Sequence, residues 1–373
     1  MKIGNFKLRH YINYIVIGIL TLVLGTMSLT GTRFDNSLLF LLEKVAISII
    51  LAVSLSLVVG FLGELSLGHA GFMCVGAYLG GKVATLLVPM LGNGPLTFLI
   101  ALIAGAGAAA ICGIIIGIPA LRLRGDYLAI VTLAFGEIVK SLFQNSSDDS
   151  FGGSLGLETP RYDKHYLFIL AFLLVLVTLA VIQNLIRSKH GRAITAIRDN
   201  EIAALASGTN VTKYKLLAFT LSAAFAGVAG VLYSYSNYTV QSAKFGYNYS
   251  IEILVMVVLG GMGSINGSIL AAALITWLNT KLATVLTGDL AVLQNLLYAL
   301  ILIVIVIYNN APALKGFRDK YNLGALAEKL IKHDPARVKD DKAKWDVVPT
   351  KISMDEILSV DLVPQDHDQG GSK

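Results

Sequence analysis

The chain has 373 residues, of which 55% are apolar and only 14% are charged, and its mean hydropathy is +0.69. This composition excludes an ordinary soluble globular protein and indicates an integral membrane protein. The net charge of +6 does not indicate nucleic-acid binding, because much of the basic excess lies in loops beside apolar segments. Only Cys74 and Cys112 occur, both within apolar stretches, so neither a disulfide framework nor a thiolate metal site is predicted.

The first third of the chain predicts three membrane spans. A helix needs about 20 apolar residues to cross a bilayer. Residues 11–29 follow a basic start and lack a clear cleavage site, so they predict an uncleaved first span that begins in the cytoplasm. The next two spans are predicted at residues 45–63 and 65–88, with Glu43 and Lys44 at the outer edge of the second span.

Seven further crossings are predicted by apolar length and loop charge. They are residues 96–120, 127–143, 166–186, 216–235, 251–262, 269–286 and 290–308. Residues 251–262 are short and end in a glycine-rich break, but parity requires a crossing there, because the lysine-rich segment after residue 309 is predicted to be cytoplasmic. The sequence therefore predicts an all-α membrane protein with about ten crossings, broken or glycine-rich helices, and both termini in the cytoplasm.

Composition also divides the chain into domains. Residues 1–310 form the predicted transmembrane domain, with a cytoplasmic loop at residues 187–215 inside it. Residues 311–373 are predicted to form a cytoplasmic tail that is partly an amphipathic helix and then disordered. A flexible end is the interpretation we favour for this tail over a regulatory element.

The longest polar run of the chain is the loop at residues 187–215. Its basic side chains are Arg187, Lys189, Arg192, Arg198, Lys213 and Lys215. The loop is cytoplasmic by the positive-inside rule. Its middle predicts a short helix with four apolar residues close to one face, namely Ile194, Ile197, Ile202 and Leu205. Gly208 follows in the position of a C-capping glycine.

Two interpretations of this loop stay open. It is either a solvated loop whose charges only fix orientation, or a docking helix that two membrane segments present to a cytoplasmic partner. The candidate docking residues are Gly191, Arg192, Ala196, Ile197, Arg198, Asn200, Glu201, Ala204, Leu205 and Gly208.

Polar and glycine residues inside the predicted spans are the other candidates. Polar side chains are costly in lipid and must face protein or water, and glycines allow close helix packing or an unwound backbone. These residues indicate either a translocation path or tight helix packing: Glu64, Ser66, Gly68, His69, Gly71, Glu137, Gly260, Gly261 and Gly263. For Glu137, an ion pair with Lys140 at i,i+3 is available.

No catalytic motif is visible. Residues 76–82 match the start of a phosphate-binding loop, but Val83 replaces the required Ser or Thr and no strand–loop–helix context surrounds the match. No nucleophile elbow, zinc-binding motif or paired-carboxylate site is evident. We therefore predict a chain that is not an enzyme, holds no metal and does not hydrolyse ATP itself.

Four segments carry a resemblance to a known family. They are GELSLGHAGFMCVGAYLGG at 63–81, RGDYLAIVTLAFGEIVK at 124–140, GRAITAIRDNEIAALASGTNVTKYKLLAFTLSAAFAGVAGVLY at 191–233 and LGGMGSINGSILAAAL at 259–274. Together they resemble the M-type permease subunit of bacterial branched-chain amino acid ABC importers. The resemblance covers residues 45–308 in order. It implies a type II ABC importer permease fold, a multi-pass location in the bacterial cell membrane, and uptake of leucine, isoleucine and valine.

The resemblance also implies partners. These are a second homologous permease, two cytoplasmic ATPase subunits that bind ATP and magnesium, an extracytoplasmic substrate-binding protein and membrane lipid. It places the ATPase-coupling helix within residues 191–208, and it implies no cofactor bound by this chain.

Three alternatives stay open at this stage. The same family includes permeases for urea and short amides, and nothing in the chain distinguishes those substrates from amino acids. An ion-coupled secondary transporter would use Glu137 and Glu64 as ion sites, and the basic loop would then be incidental. An intramembrane enzyme lacks a convincing catalytic pair.

Overall fold

The computed structural model describes residues 17, 18, 21, 35–123, 125–160, 162, 164–285, 299, 300 and 303. All of them belong to the first of two compact units, Met1–Val306. The predicted first span, residues 11–29, and the predicted last span, residues 290–308, lie almost entirely outside the described residues. The predicted tail, residues 311–373, lies outside them altogether.

Helices make up nearly all of the described chain. They are α1 Asn36–Ser56 with a π-helical extension Leu57–Leu62, α2 His69–Leu91, α3 Pro95–Ala120, α4 Asp126–Gln144, α5 Asp148–Phe151, α6 Lys164–Arg187, α7 Lys189–Asp199, α8 Glu201–Ala206, α9 Val211–Ser236, α10 Tyr247–Gly260 and α11 Ile265–Val285. A 3-10 turn, Ser242–Phe245, precedes α10. The all-α prediction omitted one small feature, an antiparallel pair of two-residue strands, β1 Leu157–Glu158 and β2 Thr239–Val240.

Among the described residues, six helices are long and apolar enough to cross a membrane. They are Asn36–Leu62, His69–Leu91, Pro95–Ala120, Tyr166–Arg187, Val211–Ser236 and Ile265–Val285. Helix α10 is apolar but has only 14 residues, and α4, which carries Asp126, Glu137 and Lys140, is not among the six. A multi-pass helical membrane protein is therefore confirmed.

Helix α1 lies at the centre of the bundle. Its most apolar stretch is 89% buried, and it packs against α6, α9 and α11. The helix begins at Asn36, where the Asp35 side chain accepts a hydrogen bond from the main-chain N–H of Ser37. Glu43, which the sequence predicts at the outer edge of a span, lies within this helix beside the last residue of α9. Glu43 is 1% exposed within α1, and the Ser236 hydroxyl donates to its Oε2 at 2.5 Å.

Glycines allow α2, α3 and α9 to pack closely. Gly76 of α2 faces the main chain of Gly227 of α9, and Gly81 lies beside Ser234, so α2 and α9 run parallel. Gly105 of α3 also contacts this pair. A Cβ at Gly76 or Gly105 would overlap a neighbouring helix. This small-residue packing brings three helix backbones together.

Helix directions define two ends of the bundle. The C-terminal end of α1, the short helices α7 and α8, and the start of α9 lie at one end, which we call the α8 end. The strands β1 and β2 lie at the other end, where the Thr159 hydroxyl contacts the last turn of α9. This arrangement fixes which loops share a side of the membrane.

We predict that Gly76→Val disrupts the bundle. The larger side chain meets the main chain of Gly227, and overpacking of this kind costs about 1–3 kcal/mol or more. The thermal unfolding midpoint of the detergent-solubilised protein should fall. Gly107→Val in α3 is the matched control, because a Cβ there meets nothing within 4 Å. Equal midpoints for the two variants would contradict this packing.

Candidate coupling and translocation sites

The predicted docking segment begins with α7, which packs on the end of α6. The Ser188 hydroxyl caps the helix by accepting from the main-chain N–H groups of His190 and Gly191. Gly191 is buried against the main chain of Ile186, and a side chain would not fit there. Ile194 and Ile197 are buried on the same face. Helix α7 is therefore anchored to the membrane bundle, with Arg192 and Ala196 exposed on its other side.

The docking segment is not one helix, and the sequence prediction of a single apolar face is wrong. At Asn200 the backbone is extended (φ −159°, ψ 107°), which ends α7. The Asn200 Oδ1 then accepts from the main-chain N–H of Ala203 at 3.0 Å and starts α8. Because the chain changes direction there, Ile202 and Leu205 are 77% and 62% exposed, whereas Ala204 is 3% exposed. The available apolar contacts are Ile202 and Leu205.

Gly208 closes α8 as the sequence predicted. Its φ of +83° is left-handed, and its N–H donates to the carbonyl of Leu205 at 3.0 Å. Residues other than glycine rarely adopt this conformation directly after a helix. The turn leads to Asn210, whose side chain accepts from the main-chain N–H of Lys213 and caps α9.

A buried lysine joins α8 to the end of α1. The Lys215 ammonium donates to Glu64 Oε1 at 2.6 Å and to Glu201 Oε2 at 3.3 Å. The Lys215 side chain is 4% exposed, that of Glu64 is 13% exposed and that of Glu201 is 37% exposed. Glu64 follows the π-helical end of α1, and Glu201 is the first residue of α8. The Lys215 ammonium therefore binds both Glu201, a predicted docking residue, and Glu64, a predicted path residue.

Arg198 makes a second connection at the same place. Its Nη1 donates to the carbonyl of Gly60 at 3.0 Å, within the π-helical turn of α1, and its Nε and Nη2 donate to Asp199. The aliphatic part of Arg198 packs on Gly63, which has a φ of +81°. The predicted docking residue Arg198 thus contacts the chain's own broken helix.

The glycine-rich turn between α10 and α11 completes this cluster. Gly261 and Gly263 have φ values of +90° and +82°, and Gly260 packs directly on Gly267 of α11. Gly60 of α1 faces the main-chain nitrogen of Gly263. The predicted break after residue 259 is therefore a tight turn that packs on the end of α1.

The segment between α1 and α2, residues 63–68, is non-helical, as predicted for a broken helix. The main-chain N–H of Leu67 donates to Thr132 Oγ1 at 3.0 Å, and Gly68 packs on the carbonyl of Thr132. Gly71 packs on Gly136 of α4. Ser66 is buried within this segment. Residues of α4 thus accept a main-chain hydrogen bond from the non-helical segment and pack against its glycines.

His69, the first residue of α2, is 2% exposed. Its Nε2 lies 2.8 Å from Ser54 Oγ of α1, and that hydroxyl donates to the carbonyl of Leu51. The main-chain N–H of the next residue, Ala70, donates to Ser250 Oγ of α10. These contacts give His69 a role in joining α1 to α2.

Glu137 forms the predicted ion pair with Lys140, with Nζ to Oε2 at 3.0 Å. Its other oxygen, Oε1, accepts from the main-chain N–H of Tyr247 at 2.8 Å. Tyr247 is the first residue of α10, so the carboxylate of Glu137 supplies the acceptor and the negative charge that favour a helix N-terminus. This second contact joins residues 110 positions apart and was not predicted from the sequence.

The structure separates the candidates into two groups. At the α8 end, Arg198 lies beside Gly263, and Lys215 binds both Glu201 and Glu64. Gly68 and Gly71 instead pack on α4, the helix that carries Glu137. Sequence reasoning missed Lys215, which it counted only as a topology charge. A lysine in the second turn of a membrane helix, where a charge needs a partner, was the available signal. Among the described residues, no group of three potential metal ligands converges.

We predict that Lys215→Met destabilises the protein by about 3 kcal/mol, because it leaves the carboxylate of Glu64 buried without its partner. The thermal unfolding midpoint in detergent should fall, and adding Glu64→Gln should recover part of the loss. Lys213→Met, an exposed site on the same turn, should change little. Equal stability of Lys215→Met and wild type would contradict a stabilising bridge.

Comparison with known proteins places these features in a family. Residues 37–306 match the family model described as branched-chain amino acid transport system / permease component. Over 260 residues, the chain is 41% identical to the high-affinity branched-chain amino acid transport system permease protein LivM of Escherichia coli K12, which covers 61% of this chain and 60% of that protein. The chain thus spans about 60% of the length of this relative.

More distant relatives have a wider range of substrates in their names. The ribose import permease protein RbsC of Escherichia coli K12 is 27% identical over 320 residues, covering 79% of this chain and 92% of RbsC. A probable branched-chain amino acid transport permease protein LivM of Methanocaldococcus jannaschii is 26% identical over 253 residues, covering 58% of this chain and 73% of that protein. No solved structure gives a significant match.

These permease relatives and the six apolar helices identify a multi-pass protein of the bacterial cell membrane. The family consists of transport components, which agrees with the predicted non-enzymatic role. Because the family model matches well over half of the chain, this protein belongs to the permease components of branched-chain amino acid transport systems.

Proposed function

We propose that this chain is one permease subunit of an ABC importer that moves leucine, isoleucine and valine across the membrane. The names of the LivM relatives support this substrate class. The structural observation that carries the proposal is the connection between an exposed apolar helix and a broken membrane helix. Ile202 and Leu205 of α8 offer the apolar contacts, and Lys215 ties α8 to Glu64.

The coupling step follows from this connection. The ATPase subunits bind ATP and magnesium. Each binds a permease by holding a helix such as α8 in a hydrophobic groove, a common mode of helix recognition. When they move, Lys215 and Arg198 transmit the displacement of α7 and α8 to the π-helical end of α1. The glycine turn at residues 260–264 packs on the same end and shifts with it.

The other partners occupy other surfaces. A second homologous permease and membrane lipid cover the exposed apolar faces, of which that of α3 is the most extensive, since its most apolar stretch is only 22% buried. An extracytoplasmic binding protein delivers the amino acid at the end that carries β1 and β2. No cofactor is needed on this chain.

The proposed topology has ten crossings with both termini in the cytoplasm. Helices α1 to α4, α6, α9, α10 and α11 supply eight, and the predicted spans at 11–29 and 290–308 supply the others. The basic residues around α7 place the α8 end in the cytoplasm by the positive-inside rule.

The structure favours an ABC importer over an ion-coupled transporter working alone. Such a transporter would use Glu64 and Glu137 as ion sites. However, Glu64 is bound by Lys215, while Glu137 is bound by Lys140 and the N-terminus of α10. Both carboxylates already have cationic partners within the chain.

A labelling experiment tests the topology. In a background of Cys74→Ala and Cys112→Ala, Ser154→Cys should react with a membrane-impermeant maleimide added to intact cells, and Ser207→Cys should react only after permeabilisation. Both sites are exposed, so burial does not limit their reaction. Reaction of both sites from outside would contradict the proposed orientation.

A docking experiment tests the coupling surface. Leu205→Arg places a charge at the centre of the apolar contact and should weaken ATPase binding by about a hundredfold, which corresponds to roughly 2.7 kcal/mol. The variant should insert and fold normally, lose the ATPase subunits on purification and abolish leucine uptake. Leu155→Arg, at an exposed position at the opposite end of the bundle, is the control and should retain the ATPase. Retention by Leu205→Arg would mean that α8 is not the docking surface.

A further inference from the structure

A partly open cavity of about 880 Å³ lies between helices towards the end opposite α8. Helices α1, α10 and α11 form its walls, and the end of α9 with the 3-10 turn Ser242–Phe245 forms its rim. Pockets of roughly 300–1,000 Å³ are the size that binds small molecules in proteins. None of the docking or path residues predicted from the sequence lines this cavity.

Charged side chains of both signs line the cavity. Lys44 projects from α1 and Glu252 from α10, while Lys244 comes from the rim. Lys44 lies within electrostatic range of both Lys244 and Glu252. Ionisable groups on membrane helices are costly, and they mark substrate pathways more often than chance. The cavity therefore presents charged groups of both signs to a ligand.

The charged groups are held in place by their neighbours. The Asn279 amide of α11 donates to Glu252 Oε1 at 3.0 Å. The Lys44 ammonium lies 4.5 Å from the centre of the Phe40 ring, a cation–π contact that fixes its position. Phe40 also joins Ile47 and Phe245 as apolar lining. The cavity thus combines fixed charges with an apolar surface.

An unpartnered hydroxyl gives an independent indication of a ligand. Thr276 of α11 lines the cavity and is 7% exposed, yet its Oγ1 has no hydrogen-bond partner within the part of the chain that the structure describes. A buried polar group without a partner costs about 1–3 kcal/mol. A ligand with a hydrogen-bonding head group would satisfy it.

We infer that this cavity is a binding site for one zwitterionic α-amino acid with an apolar side chain. Its carboxylate lies between Lys44 and Lys244, its ammonium group lies at Glu252 and Thr276, and its side chain packs on Phe40 and Ile47. This inference rests on the proposed function and adds a substrate site within a single permease chain.

Protection of an introduced cysteine tests the inference. Thr280→Cys lines the cavity and is placed in the background of Cys74→Ala and Cys112→Ala. The purified importer complex is treated with methanethiosulfonate ethylammonium, with and without ATP. L-leucine at about ten times its Kd should slow the modification about tenfold, because the bound fraction is then about 90%. 4-Methylpentanoate, which is leucine without its ammonium group, should not protect.

Matched variants test whether leucine protects Thr280→Cys by binding in the cavity. Glu252→Gln and Thr276→Val should each reduce the protection that leucine gives at the same concentration. Thr220→Val is the control, because the Thr220 hydroxyl is also buried without a partner among the described residues but does not line the cavity. Equal loss of protection in all three variants would contradict a site in the cavity.

Two further outcomes separate this inference from the proposed function. If the complex imports leucine but leucine does not protect Thr280→Cys, the cavity is not a substrate site and the proposed function stands. The same conclusion follows if Thr280→Cys is not modified in either nucleotide state, because a cavity closed to this reagent is closed to an amino acid. If the wild-type complex imports none of the three amino acids, the proposed function fails and the inference fails with it.

Discussion

The ammonium group of Lys215 is the constraint on which the α8 end of the bundle depends. A charge that is 4% exposed must be paired, and the two carboxylates available to it belong to different elements, Glu64 after α1 and Glu201 in α8. Separating Glu64 from Lys215 is costly because both side chains are largely buried, whereas Glu201 is 37% exposed and its bond is screened by solvent. Lys215 therefore joins the exposed helix α8 to the broken end of the central helix.

The broken helices are stabilised by side chains from their neighbours. An interrupted helix inside a membrane leaves main-chain groups without partners, and these must be satisfied by protein. Thr132 of α4 accepts from the break after α1, Ser250 of α10 accepts from the start of α2, and Glu137 of α4 accepts from the start of α10. Because α4 and α10 supply these groups, neither is a plain apolar span, and both deviate from a simple hydropathy pattern.

Local pattern predicted the features that depend on neighbouring residues. Apolar length gave the six long helices, i,i+3 spacing gave the Glu137–Lys140 pair, and a glycine after a helix gave the cap at Gly208. Features that join distant parts of the chain could not be predicted in this way. Lys215 and Glu64 are 151 residues apart. The extended backbone at Asn200 was also missed, because the prediction of one continuous helix places Asn200 on its polar side although asparagine is a preferred N-cap residue. A continuous helix misplaces Ile202 on the buried face.

The central claim is that α8 transmits force to the membrane through Lys215. The most direct test is the number of leucine molecules imported per ATP hydrolysed by the complete importer in proteoliposomes carrying Glu201→Met. This change separates α8 from Lys215 but leaves the buried pair of Lys215 and Glu64 intact. The account predicts that the ATPase subunits stay bound and hydrolyse ATP while import per ATP falls several-fold. An import-to-hydrolysis ratio equal to that of the wild type would contradict it.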